Sequence, residues 1–153
     1  DCYEKKIPIL FDPGQGLPMF NKQELDIFIQ QASYIALNEY EAGLLMNVTG
    51  LGISQLTSKV EALIITKGSQ GSVVYADKEY VISPIKVDAA VDPTGCGDAY
   101  RAGLIYGITS QYSWEKTGKL ASIMGSLKIQ SQGGQNHQPS TEQIESLFGS
   151  GLE

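Results

Sequence analysis

The chain has little of several things that would announce a function at once. It holds two cysteines, Cys2 and Cys96, in 153 residues. Two are too few for a disulfide framework, and no zinc-ligand spacing accompanies them. That scarcity predicts a reduced, cytoplasmic setting. Lys and Arg number 11 against 17 Asp and Glu, for a net charge of −6. The nearest thing to a basic run is Lys5-Lys6, which reads as a solvated surface pair. A nucleic-acid binder clusters its positive charge on one face, so that class is excluded. No apolar run approaches the roughly 18 residues of a membrane span, and no signal-peptide pattern opens the chain. A Gly-x-Gly-x-x-Gly turn after the first apolar run is also missing, which counts against a Rossmann-type dinucleotide site.

What is present reads as one globular domain over residues 1–153, at 42% hydrophobic and 18% charged. "IPILF" (residues 7–11) is a short apolar run closed by Asp12-Pro13-Gly14, a buried strand ending in a loop. Leu25, Phe28 and Ile29 recur at helical spacing within 22–32. "YIALN" (34–38) predicts a second buried strand, with a helix starting at or just after Asn38 and a further short helix in "GISQLTSKV". Strands are expected at 62–66, 72–76 and 79–82, turning at Lys67-Gly68 and Asp77-Lys78. Helices follow over 98–108 and 114–129, then a polar loop "QSQGGQNHQPS" and a last helix capped by Ser140 or Thr141. Strands alternating with helices imply an α/β sandwich with a largely parallel sheet. The opening "DCYEKKIPILFDPG" has no initiator Met and runs directly into a strand, as though the chain starts mid-fold.

The most informative stretch is "AAVDPTGCGDAYRAGLIYG", residues 89–107. Three small positions, Gly95, Cys96 and Gly97, precede an acid and a helix. A helix N-terminus carries unpaired N–H groups and partial positive charge, and glycine lets an anion approach them. Phosphate is the usual guest. Asp98 beside it would repel that guest unless it has work to do, such as taking a proton from an attacking hydroxyl. The plainer reading is a glycine-rich turn with Asp98 in a first helical turn. The helix N-terminus is also expected to lower the Cys96 thiol pKa. Ala99, Ala102, Gly103 and Gly107 form a small-residue face suited to close packing.

"DPTGCGDAYRAG" resembles the signature of the ribokinase-like (PfkB-type) carbohydrate and nucleoside kinases, roughly D-T-x-G-A-G-D-x-F-x-A-G. Asp92, Thr94, Gly95, Gly97, Asp98, Ala102 and Gly103 match it, while Pro93 and Cys96 depart from it. "NEYE" (38–41) is similar to the family's N-x-x-E, and "ITKGSQGSVV" (65–74) to its nucleotide-binding turn. The resemblance implies a three-layer α/β/α ribokinase-like sandwich, of which this chain is the C-terminal, ATP-binding portion without the lid. It implies transfer of the γ-phosphate of ATP to a sugar or nucleoside hydroxyl, with adenosine favoured on a softer likeness to adenosine-kinase-like members.

In those terms Asp98 is the catalytic base and the Gly95, Cys96 and Gly97 amides form the anion hole. Thr66, Gly68 and Gly71 line the nucleotide, and Asn136 and His137 border the adenine. The competing reading of His137, the lone histidine, is a solvated loop residue. Asn38 and Glu41 face Mg²⁺ through water, although Asn38 reads nearly as well as a helix N-cap. Asp92 and Thr94 resemble the elements that hold a monovalent cation such as K⁺ in some members. Relatives of about twice this length imply a missing N-terminal half, an exposed sheet edge that favours homo-oligomers, and little activity for the fragment alone. A non-catalytic nucleotide- or phosphate-binding module is the alternative.

Overall fold

The computed structural model describes residues 1–149, so the last four residues of the span expected to form one domain, 1–153, lie outside the described part. The chain divides into two compact units. The first comprises Asp1–Gly68 and Val73–Tyr80; the second comprises Ser69–Ser72 and the chain from Val81 onward.

Strands β1 (Leu10–Phe11), β2 (Tyr34–Asn38), β3 (Ala62–Thr66), β4 (Ser72–Tyr75) and β5 (Glu79–Ile82) form one sheet in the order β1-β2-β3-β4-β5. β1, β2 and β3 run parallel, with Tyr34 opposite Ala62 and Asn38 opposite Thr66. Ile35, Leu37, Leu63 and Ile65 face a core completed by Leu25, Ile29 and Leu45. Ala36, Ala62 and Ile64 point the other way and are buried too. Burial on both faces is why these strands read as unbroken apolar runs.

Helices α1 (Lys22–Gln31), α2 (Glu39–Thr49) and α3 (Ile53–Thr57) complete the first unit. α1 opens on a reciprocal capping box between Asn21 and Glu24. The expected five-residue first strand is only two residues long. The Ile7 amide donates to the Cys2 carbonyl at 2.9 Å, Pro8 has no N–H, and the Ile9 amide turns to Ser33 Oγ at 3.3 Å. The ladder therefore starts at Leu10.

The second unit contains α4 (Cys96–Thr109), α5 (Trp114–Ile129) and α6 (Thr141–Phe148), the last capped by Ser140. A Cβ on Gly103 would lie 2.6 Å from Ala121 Cα, and one on Gly107 would lie 2.7 Å from Thr117 Oγ1. The α4–α5 seam thus runs along Ala99, Gly103 and Gly107, all buried, whereas Ala102 is exposed and lies off it. Leu120, Ile123 and Phe148 form a small cluster where α6 returns. No helix among the described residues is long and apolar enough to cross a membrane.

Candidate functional site

In the first unit, the parallel register sets Asn38 beside Thr66 at the carboxyl ends of β2 and β3. Open α/β sheets receive ligands at that end. Asn38 Oδ1 accepts from the Glu41 amide and Glu41 Oε2 accepts from the Asn38 amide, both at 2.8 Å. Asn38 is exposed and Glu41 buried. The pair is a capping box, so the N-cap role of Asn38 is real. Among the described residues no group of three or more His, Cys, Asp or Glu could hold a metal ion. Thr66 Oγ1 donates to the Leu37 carbonyl at 3.4 Å, and Gly68 opens a 3-10 turn over Gly68–Gln70.

Gly71 follows that turn, in the second unit. Its φ is +89°, and a Cβ there would sit 2.1 Å from the Ile82 carbonyl oxygen. The protein's own backbone thus accounts for that glycine without a ligand.

At the mouth of α4 the helix starts at Cys96, two residues before the expected Asp98. Gly95 is the N-cap in the left-handed region (φ +80°, ψ 2°), and the Ala99 amide already donates to its carbonyl at 3.0 Å. A Cβ on Gly95 would lie 2.5 Å from the Gly134 carbonyl oxygen. This position needs glycine twice over, for its φ and for that approach. The Cys96 amide donates to the Pro93 carbonyl at 3.1 Å. It is therefore withdrawn from the expected anion hole. The Gly95, Gly97 and Asp98 amides meet no acceptor among the described residues. They are the unpaired donors a helix start leaves. Asp98 is exposed in the first turn.

The Cys96 thiol does not follow its helix-terminus expectation. Burial pushes it above its ordinary value, Lys128 opposes that shift, and the Asp92 carboxylate adds to it. Desolvation is the largest of these causes. Tyr100 anchors the next turn: its hydroxyl lies 2.6 Å from Ser72 Oγ in a buried pair, and burial raises its pKa.

Asp92 ties the turn before α4 to the loop after α5. Its Oδ1 accepts from the Thr94 amide at 2.9 Å, and its Oδ2 accepts from the Gly133 amide at 2.7 Å and Gln132 Nε2 at 3.3 Å. The Thr94 and Gly133 bonds are the main reason its pKa falls from 3.8 to about 2. The Asp92 carbonyl meanwhile accepts from Lys128 Nζ at 2.8 Å. In the same loop Asn136 Nδ2 donates to the Gln132 carbonyl at 3.0 Å. His137 is half-buried, and its Nδ1 meets no hydrogen-bond partner among the described residues.

The family model for "pfkB family carbohydrate kinase" matches residues 2–141. The chain belongs to this family. That span contains every residue singled out in the sequence. A nucleoside kinase of Methanocaldococcus jannaschii is 36% identical over 137 residues, 89% of this chain and 45% of its own. A ribokinase of Lactococcus lactis subsp. lactis is 31% identical over 146 residues, 94% of this chain and 46% of its own. The solved nucleoside kinase of Burkholderia thailandensis in complex with inosine aligns at 43% identity with a TM-score of 0.94. That alignment covers 96% of this chain and 50% of the other. The fold is thus the mixed α/β fold of the ribokinase-like kinases, and the chain spans about half the length of the relatives it matches.

Within this pfkB-family chain, sequence reasoning passed over Lys128, whose side chain is fully buried. A signal existed. Lys128 falls on the same helical face as Leu120, Ala121 and Met124, where a lysine needs internal acceptors. An open hollow lined by Lys22, Asp26, Gln30, Leu51 and Lys59 includes none of the expected site residues.

Proposed function

We propose that this chain carries the phosphoryl-transfer machinery of an ATP-dependent kinase acting on a nucleoside or sugar hydroxyl. The observation that carries the reading is the mouth of α4. There the amides of Gly95, Gly97 and Asp98 are unpaired beside an exposed Asp98 carboxylate. Donors fixed in advance stabilise charge on a migrating phosphoryl group without reorganising as it forms. Asp98 takes the acceptor hydroxyl's proton as the new O–P bond forms. The bond from the γ-phosphorus to the β–γ bridging oxygen breaks, and ADP leaves with that oxygen.

Thr66 and Gly68, with the turn that Gly71 shapes, are assigned to the nucleotide's ribose and phosphates. Asn136 and His137 are assigned to the adenine, supported by the unsatisfied His137 Nδ1. Mg²⁺ carried on the phosphates would neutralise charge there. Asn38 and Glu41 would reach it only through water, since each already supplies an oxygen to the capping box.

A nucleoside is favoured as acceptor because the relatives at 36% and 43% identity are named nucleoside kinases, one solved with inosine. Adenosine, which shares inosine's ribose and purine frame, is the specific candidate. The residues that recognise the acceptor are proposed to come from the half of the family fold that this chain does not span.

The test is ADP release from ATP with adenosine, inosine or ribose, by this polypeptide alone and joined to the complementary half of a nucleoside-kinase relative. In the joined protein Asp98→Asn should lower turnover by about 10²–10⁴, the usual worth of a general base, with ADP binding retained. A smaller drop than about tenfold would remove Asp98 from that role. ADP binding without transfer in any form would favour the non-catalytic module.

A further inference from the structure

The K⁺ expectation for Asp92 and Thr94 meets an obstacle in the second unit. A monovalent cation held by protein needs oxygen donors, typically backbone carbonyls. Lys128 Nζ already sits on two of them, the Asp92 carbonyl at 2.8 Å and the Ser131 carbonyl at 3.0 Å. Both Asp92 carboxylate oxygens are engaged by amide donors, from Thr94, Gly133 and Gln132. A free cation does not fit these donors as they stand.

Lys128 is fully buried, and a buried ammonium is costly unless its protons find acceptors. A lysine in the last turn of a helix ordinarily reaches that helix's own carbonyls or water. This one spends one bond on Asp92, 36 residues earlier in the chain. The two carbonyls belong to the two segments that shape the mouth of α4. Asp92 leads into Gly95, and Ser131 leads into Gly134, whose carbonyl oxygen lies 2.5 Å from where a Gly95 Cβ would be.

We infer that Lys128 is a tethered substitute for a monovalent cation: its ammonium takes the carbonyl oxygens a K⁺ ion would take and holds the two segments around Gly95 together. The side chain is a positioning residue, acting on the phosphate site through Asp92 and Ser131. The link to phosphate binding rests on the kinase reading above. The substitution for a cation does not.

The consequence is a protein indifferent to K⁺ that becomes K⁺-responsive when Lys128 is removed. The full chain and its Lys128→Ala variant would be compared in KCl and in tetramethylammonium chloride at equal ionic strength. Melting temperature and ADP affinity would both be read. The unmodified chain should give the same values in both salts. Lys128→Ala should melt lower and bind ADP roughly tenfold more weakly in tetramethylammonium, the loss expected for a buried charged hydrogen bond, with both values recovering in KCl. Lys128→Gln, which keeps an N–H donor without the charge, serves if the alanine variant does not fold, and should show the same direction. An unmodified chain stabilised by K⁺ over tetramethylammonium would overturn the inference, as would folded variants whose losses K⁺ does not restore. K⁺-selective recovery of melting temperature with no ADP binding by either protein would uphold the inference and count against the kinase reading.

Discussion

Replacing Gly95 by alanine tests the geometry of the α4 mouth most directly. Two costs combine there. A left-handed backbone with a Cβ costs roughly 1–2 kcal/mol, and Gly95 holds φ at +80°. The new methyl would also meet the Gly134 carbonyl oxygen at 2.5 Å. That neighbour is backbone, pinned through the Gly133 amide by Asp92, so relief requires the loop to move, at a cost of about 1–3 kcal/mol for overpacking. Together they predict a loss of about 2–5 kcal/mol.

Two substitutions in the same unit calibrate the scale. Gly125 lies within α5, where a Cβ would make only ordinary contacts, the nearest at 3.7 Å. Gly125→Ala should gain about 0.5–1 kcal/mol from helix propensity. Gly133 has φ +81°, but its nearest obstacle is Asn136 Nδ2 at 2.6 Å, the end of a side chain that can swing aside. Gly133→Ala should therefore cost the backbone term alone, about 1–2 kcal/mol. Urea unfolding followed by fluorescence of Trp114, the single tryptophan, which lies in this unit, reads all three. Equal losses at Gly95 and Gly133 would refute the claim that the Gly134 carbonyl constrains the turn before α4.

Other outcomes follow from single contacts. Asp92 titrates near 2 in the fold against an ordinary 3.8. Its stabilising contribution is therefore complete above about pH 4 and is lost as pH falls toward 2, a window that should vanish in the acid unfolding profile of Asp92→Asn. Tyr100→Phe leaves the buried Ser72 hydroxyl without its 2.6 Å partner. A loss of about 1–3 kcal/mol is expected by urea unfolding, and an unchanged midpoint would mean that water replaces the phenol.

The parts of the fold legible in the sequence were those set by local rules. β2, β3 and α5 have the expected limits because burial on both strand faces and a sharp Ser113 cap leave little choice. β1 fell short because three consecutive positions, Ile7, Pro8 and Ile9, commit or lack their amides, a matter of backbone bonding rather than hydropathy. The glycine-rich segment before α4 was legible as a motif, but the engagement of the Cys96 amide by the Pro93 carbonyl depended on a turn that only the chain path reveals. The direction of the Cys96 thiol shift was not legible because its largest cause is burial, which tertiary packing creates. Lys128 was overlooked for a similar reason. Its acceptors come from segments that composition cannot place beside it.

The seam between α4 and α5 has one more consequence. Where the Gly103 backbone nearly touches that of Ala121, no side chain is available to cushion a roll of one helix on the other. An incoming anion would thus find donors already aimed, with little disorder left to surrender on capture. Calorimetry of anion binding should show a correspondingly small entropic penalty.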